Sequence, residues 1–249
     1  MSIFEDTNPR ALKELLAEIH NSTTVLPDFQ RDFVWEPGAT RELIVSIANG
    51  YPAGSILRVR DKEHAFAARE FEGAPELGQH VHTFLVLDGQ QRLTSLYQAF
   101  YAVGEHRYFL RLKVLLDGGD FDDAIFYERA TSRAAKRYDD PKAQAEELVL
   151  PLSRLNSNAG GYLKWAVGLG KQPALKEKRE VQEWLIELND QCIKTIDEYH
   201  FPVVTLSANT KPDALCTIFE TLNRTGVKLS VFELLGNLCE FAPNRRSFI

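Results

Sequence analysis

The chain has 249 residues, of which 44% are apolar and 26% charged, with 15 Gly, 11 Pro and 3 Cys. This composition excludes collagen-like, disulfide-scaffold and wholly disordered classes, and the length is enough for one large or two smaller domains with a sizeable core. The net charge of −6 repels a nucleic-acid backbone, so any contact with DNA has to be local.

No apolar run approaches the roughly 20 residues of a membrane span, and Met1 to Glu5 lacks the charged-then-apolar order of a signal peptide. The expectation is a cytoplasmic protein with no membrane partner. Cys192, Cys216 and Cys239 are widely spaced and form no CxxC pair, which favours buried thiols over disulfides or zinc.

In chain order, Asn8-Pro9 predicts the N-cap and first residue of a helix whose buried face is Leu12, Leu15, Leu16 and Ile19. The stretch from Leu26 to Pro37 mixes aromatic and charged residues without a period and reads as a loop. A second helix is predicted from about Ala39 to Ala48, stopped by Gly50, and a short strand from Ser55 to Arg60. Residues 61–80 read as a polar surface excursion. Thr83 to Leu87 is a continuous apolar run, as in a central strand buried on both faces, and Leu93, Leu96, Tyr97, Phe100 and Tyr101 mark the helix that follows. Alternation over 108–116 predicts another strand. After Asp117-Gly118-Gly119-Asp120 the chain turns polar and weakly periodic, which suggests a subdomain boundary near 128. Beyond it, a long helix is expected from about Ala174 to Tyr199 and a strand from Phe201 to Leu206. Capping boxes at Thr210/Asp213 and Ser230/Glu233 open two further helices.

Three segments could carry chemistry. Asp88-Gly89-Gln90-Gln91-Arg92 lies on a strand-to-helix turn, where free backbone N–H groups and the helix dipole favour an anion. Arg92 adds a planar cationic fork, Asp88 could hold Mg²⁺ or orient a water, and Gln90 and Gln91 could donate to phosphate oxygens or position a nucleophile. The alternative is structural: Asp88 caps the helix, Gly89 permits the turn and Arg92 sits on a solvated face. Gln30-Arg31, between Phe29 and Phe33 and followed by Trp35, could grip a phosphate or stack on a base, or else pin a loop to the core. Asn223-Arg224-Thr225-Gly226 ends a predicted helix, and its Gly has a sufficient structural explanation. The six His residues form no HExxH or HNH-type cluster, and Walker A, GxSxG and dinucleotide loops are missing.

Together, Leu26 to Trp35, Ser46 to Gly54, Leu87-Asp88-Gly89-Gln90-Gln91-Arg92-Leu93-Thr94 and Phe219 to Ser230 resemble, in order and spacing, the DUF262 family. These are the amino-terminal domains of GmrSD-type restriction enzymes and related phage-defence proteins, and they in turn resemble the ParB and sulfiredoxin fold. The resemblance implies an α+β fold: a ParB-like mixed sheet with helices as a nucleotide-binding domain over 1–127. A mostly helical part over 128–249 would pack back onto the site. It implies binding and hydrolysis of a nucleoside triphosphate with Mg²⁺, with Asp88, Gln91 and Arg92 catalytic and Asp88 at the metal. Gln30, Arg31, Gly89, Gln90, Arg92, Asn223 and Arg224 would hold the nucleotide. Arg58 to Arg60 and the turn at Asp88 would follow the order of the ParB nucleotide-binding boxes, and Phe33 and Trp35 would sense modified DNA. The chain stops at Phe248-Ile249 without an HNH motif, so cleavage is expected from a nuclease domain or separate subunit. A nucleotide- or DNA-binding module without turnover is the rival reading, a nuclease in its own right a third, and the oligomeric state stays open.

Overall fold

Short apolar strands alternating with amphipathic helices build a mixed α+β architecture, with two sheets among the described residues. The computed structural model describes residues 4–61, 66–78, 82–156, 161–211, 214, 215, 217 and 218. In chain order the first half contains β1 (Phe4–Ala11), α1 (Leu12–His20), β2 (Thr24–Pro27), α2 (Pro37–Ala48), β3 (Ile56–Arg60), β4 (Ala68–Arg69), β5 (Phe84–Asp88), α3 (Gln90–Tyr101) and β6 (His106–Arg111). There follow α4 (Leu112–Leu116), α5 (Phe121–Ala124), β7 (Ile125–Arg129), α6 (Arg133–Arg137), α7 (Pro141–Glu147), β8 (Val149–Pro151), α8 (Gly161–Gly170), α9 (Arg179–Leu188), α10 (Lys194–Asp197) and β9 (His200–Leu206).

The larger sheet has the order β1-β9-β3-β5-β2-β4, with β9–β3 and β5–β2 parallel and the other neighbours antiparallel. The smaller sheet is antiparallel, with β6 between β7 and β8. As the apolar run predicts, β5 is buried on both faces. Val86 joins a core with α1, α2 and α3, while Leu85 and Leu87 join Val25, Val59 and Leu206 on the opposite side. The larger core contains Leu110 and Leu112 as well as Leu150, Leu185 and Ile196, and so extends across residue 128. No helix among the described residues is long and apolar enough to cross a membrane.

Four elements differ from the sequence expectation. Asn8 and Pro9 lie in β1, paired with Val203 and Pro202, and α1 begins only at Leu12. Pairing with a distant strand outweighs the local capping signal, and Pro is tolerated because β1 is an edge strand. The expected face of α1, Leu12, Leu15, Leu16 and Ile19, is buried, at about 1.5–3 kcal/mol per side chain relative to exposure.

The alternation over 108–116 is strand only to Arg111. Pairing of β6 with β7 ends at Leu110 and with β8 at Arg111. Residues 112–116 then turn helical, with Lys113 pairing to Asp117 at 2.8 Å. The long helix expected from Ala174 is α9, a π-helical turn over Asn189–Ile193, and α10. The π turn advances the buried stripe from Leu188 to Ile193, so Cys192 is only partly buried; that burial still raises its thiol pKa. Cys216, Cys239, Asp213 and the Ser230/Glu233 box lie outside the described residues. The excursion over 61–80 is not wholly a surface segment, since Phe71 is fully buried and β4 adds an edge strand to β2.

Candidate functional site

β5 delivers Asp88 to its carboxyl end, and Gly89 makes the turn into α3 with a left-handed φ of 94°. Only glycine reaches this conformation cheaply, and a Cβ on Gly89 would lie 2.4 Å from Ile56 Cδ1. Gly89 therefore serves as N-cap without a capping side chain, and Asp88 does not cap the helix, contrary to the structural alternative for that residue. The first bond of the helix ladder runs from the Leu93 N–H to the Gly89 carbonyl. The amides of Gln90, Gln91 and Arg92 precede it at the positive end of the dipole.

Arg92 is not on a solvated face. Its Nη2 donates to the Ser55 carbonyl at 2.7 Å and to Asp88 Oδ2 at 3.2 Å, and its Nε is buried with no hydrogen-bond partner among the described residues. The turn before β3 forms its socket. That turn is tied in place by Tyr199, whose hydroxyl accepts from the Ala53 N–H at 2.8 Å and donates to the Tyr51 carbonyl at 2.9 Å.

The loop from Gln30 to Val34 forms the facing bank. Its backbone is pinned almost entirely by side chains from elsewhere. Gln90 Nε2 donates to the Arg31 carbonyl at 2.6 Å. Gln91 uses both ends of its amide, donating to the Asp32 carbonyl at 3.0 Å and accepting from the Val34 N–H at 2.9 Å. Arg69 on β4 donates to the carbonyls of Gln30 and Arg31 at 3.1 and 3.0 Å, and Glu72 accepts from the Phe33 N–H at 2.9 Å. Gln30 in turn donates to the Leu87 carbonyl at 2.9 Å. Because the bonds fall on backbone groups, the side chains of Arg31, Asp32 and Val34 remain exposed.

These two banks enclose an open cleft of about 600 Å³, solvent included, lined by Gln30, Arg31, Trp35 and the run from Leu87 to Arg92. The structure thus brings Gln30, Arg31, Trp35, Asp88, Gly89, Gln90, Gln91 and Arg92 together. Phe33 lies outside it, in an adjoining hollow of about 960 Å³ that shares Trp35 as a wall. Asn223 and Arg224 lie outside the described residues. Arg58 and Arg60 do not line the cleft. Their guanidinium carbons lie 3.6 and 4.7 Å from the Phe84 ring centre, and they pair with Glu18 and Glu5 respectively.

Arg69, Glu72, Ser55 and Tyr199 belong to the support of the site but carry no local sequence signal. Arg69 and Glu72 at i, i+3 read as an ordinary surface pair.

Residues 12–239 match the family model of the GmrSD restriction endonuclease, N-terminal domain. The chain belongs to this family. The match to the GmrSD N-terminal domain takes in both banks of the cleft and every strand of both sheets except β1. The chain is also similar, at 29% identity over 260 aligned residues, to an uncharacterized protein of Methanocaldococcus jannaschii. That alignment covers 94% of this chain and 42% of the relative, so the chain spans about two fifths of the relative's length.

Proposed function

We propose that this chain is the nucleotide-binding and nucleotide-hydrolysing, DNA-sensing part of a prokaryotic restriction system that acts with a nuclease domain or subunit. One observation carries the reading: a single cleft gathers an uncapped helix N-terminus, Arg31 and Arg92 on opposite banks, and the carboxylate of Asp88. An anionic ligand is favoured there by backbone donors, dipole and two cations together. The cleft is open enough for a nucleotide rather than a lone anion.

In this reading the amides of Gln90, Gln91 and Arg92 take phosphate oxygens, and the Arg92 fork neutralises charge that develops on them. Asp88 orients the attacking water. Gln91 acts through the loop it holds and is a positioning residue. Among the described residues no group of three or more His, Cys, Asp or Glu could hold a metal unaided. One carboxylate beside phosphates nonetheless fits the habit of Mg²⁺, which takes one or two carboxylates and completes its shell with phosphate and water. Mg²⁺ brought with the triphosphate would be held by Asp88 and would supply charge neutralisation. Phe33, the exposed Val34 and Trp35 form the face offered to DNA, where aromatic contact can discriminate a modified group.

Binding without turnover is the second reading, favoured by the Asp88–Arg92 pair, which already neutralises the cleft's carboxylate. Phosphate release from a panel of nucleoside triphosphates, with and without Mg²⁺ and modified DNA, decides between the two. Turnover lost in Asp88→Asn with nucleotide binding retained supports the first. Tight binding with no release under any condition supports the second, and failure of every nucleotide to bind overturns both.

A further inference from the structure

On the helical side of the molecule, a groove of about 600 Å³ runs between α7 and α8. Its lining includes Arg154, Lys164, Trp165, Gly168 and Gln172, and among the described residues none that lines it is acidic. In a chain of net charge −6 this is a local reversal of sign. Arg154 and Lys164 make no ion pair among the described residues, whereas many of the molecule's other cations are paired with carboxylates.

The indole that lines the same groove is held in place. Trp165 Nε1 donates to Gln144 Oε1 at 2.7 Å, and Gln144, only 1% exposed, anchors its own Nε2 on the Tyr138 carbonyl at 2.6 Å. Trp165 also packs against the core and the Tyr162 ring, 5.6 Å away, so the part of the indole that lines the groove is held in place at low entropic cost. One turn along α8, a Cβ on Gly168 would meet none of the described residues within 4 Å.

We propose that this groove binds a nucleotide unit, with an unpaired base stacked on Trp165 and its phosphate held by Arg154 and Lys164. A fixed aromatic ring beside cations that make no ion pair, and with no carboxylate lining the groove, among the described residues, is the physical basis of binding to unpaired nucleic acid. The same chemistry is presented by a strand and by a free nucleotide. The site is separate from the cleft at Arg92 and does not depend on turnover there.

The test uses the full chain and follows its tryptophan fluorescence, and the anisotropy of a labelled short oligothymidylate, over a salt series. The parent binds with quenching. Trp165→Phe loses the quenching and about tenfold in affinity. Arg154→Gln with Lys164→Gln flattens the log-log salt slope by about 0.7 for each phosphate that is no longer neutralised. Gly168→Glu, which replaces the weakest helix former short of Pro and meets no steric obstacle, folds normally and weakens binding about tenfold. Competition by thymidine monophosphate at equal nucleotide concentration assigns the site to free nucleotides, and its failure to compete assigns it to a strand; both support the proposal. Unchanged affinity and slope in the double and Gly168→Glu variants overturns it, as does equal quenching in Trp165→Phe. So does loss of oligonucleotide binding in a folded Arg92→Ala protein, because the ligand would then lie in the cleft.

Discussion

The guanidinium of Arg92 fills the space that a side chain on Gly54 would occupy: a Cβ at Gly54 would lie 2.4 Å from Nη1 and 3.0 Å from Cζ of Arg92. Gly54 also has φ of 89°. Gly54→Ala is therefore expected to cost about 1 kcal/mol of stability from backbone strain and to push Arg92 off the Ser55 carbonyl. Nucleotide affinity measured by calorimetry should fall toward that of Arg92→Ala. An affinity equal to the parent's would show that Arg92 works without its socket.

Arg92→Ala should lower nucleotide affinity by roughly 10- to 100-fold, the range for losing a charged hydrogen bond of about 1.5–3 kcal/mol, while circular dichroism shows a folded chain. Asp88→Ala should reduce hydrolysis more than binding. Equal loss of both would make Asp88 a partner that merely orients Arg92.

Gln91→Leu removes the acceptor for the Val34 N–H and the donor to the Asp32 carbonyl in one change. The loop then loses two of its pins. Hydrogen exchange at the Val34 amide should accelerate by about tenfold or more, for a net bond value of ~1–1.5 kcal/mol, with global stability much less affected. Protection unchanged at Val34 would mean that Arg69, Glu72 and Gln90 suffice to hold the loop.

Arg58 and Arg60 sit two residues apart on β3 and pair with glutamates, but their environments differ. Arg58 is 1% exposed, 2.8 Å from Glu18 and 3.2 Å from Thr205 Oγ1, and burial lowers its pKa against the opposing pull of Glu18. Glu18→Gln, which leaves that buried cation without its counter-charge, should cost about 3–5 kcal/mol in denaturant unfolding. The partly exposed Arg60–Glu5 pair should cost about 0–1 kcal/mol when Glu5 is replaced by Gln. Similar losses at the two sites would refute the distinction.

Tyr97 is buried beneath α1 and shares a hydrogen bond with His20 at 3.0 Å. Burial pushes its phenol up to about 12. Since the folded value lies above the unfolded one of about 10, the folded state holds the proton more tightly. That stabilisation is fully present below pH about 10 and is lost as pH rises toward 12. Tyr101, Tyr108 and Tyr162 shift in the same direction, again chiefly by burial. Thermal unfolding followed from pH 9 upward should show Tm falling above pH about 10, less steeply in Tyr97→Phe.

The amino-acid sequence by itself determined the buried strand Phe84 to Leu87, the turn at Gly89, the helix carrying Gln90 to Arg92, and the apolar face of α1. Each rests on a local cause: a continuous apolar run, a left-handed turn that favours glycine, or a 3.6-residue period. The four spaced segments likewise carry the family membership that the match over residues 12–239 shows. Local pattern could not see β1, because that strand exists only through its pairing with β9 some two hundred residues away. Nor could it end β6 at Arg111, where the partner strands run out. The support of the cleft was decided by tertiary structure alone. Arg69 from β4, Ser55 from the turn before β3 and Tyr199 from the segment before β9 reach the cleft's banks because the order β9-β3-β5-β2-β4 sets their elements side by side. A hydrogen bond between residues that far apart in the chain leaves no periodicity to read, and only the register of the sheet brings its donor to its acceptor.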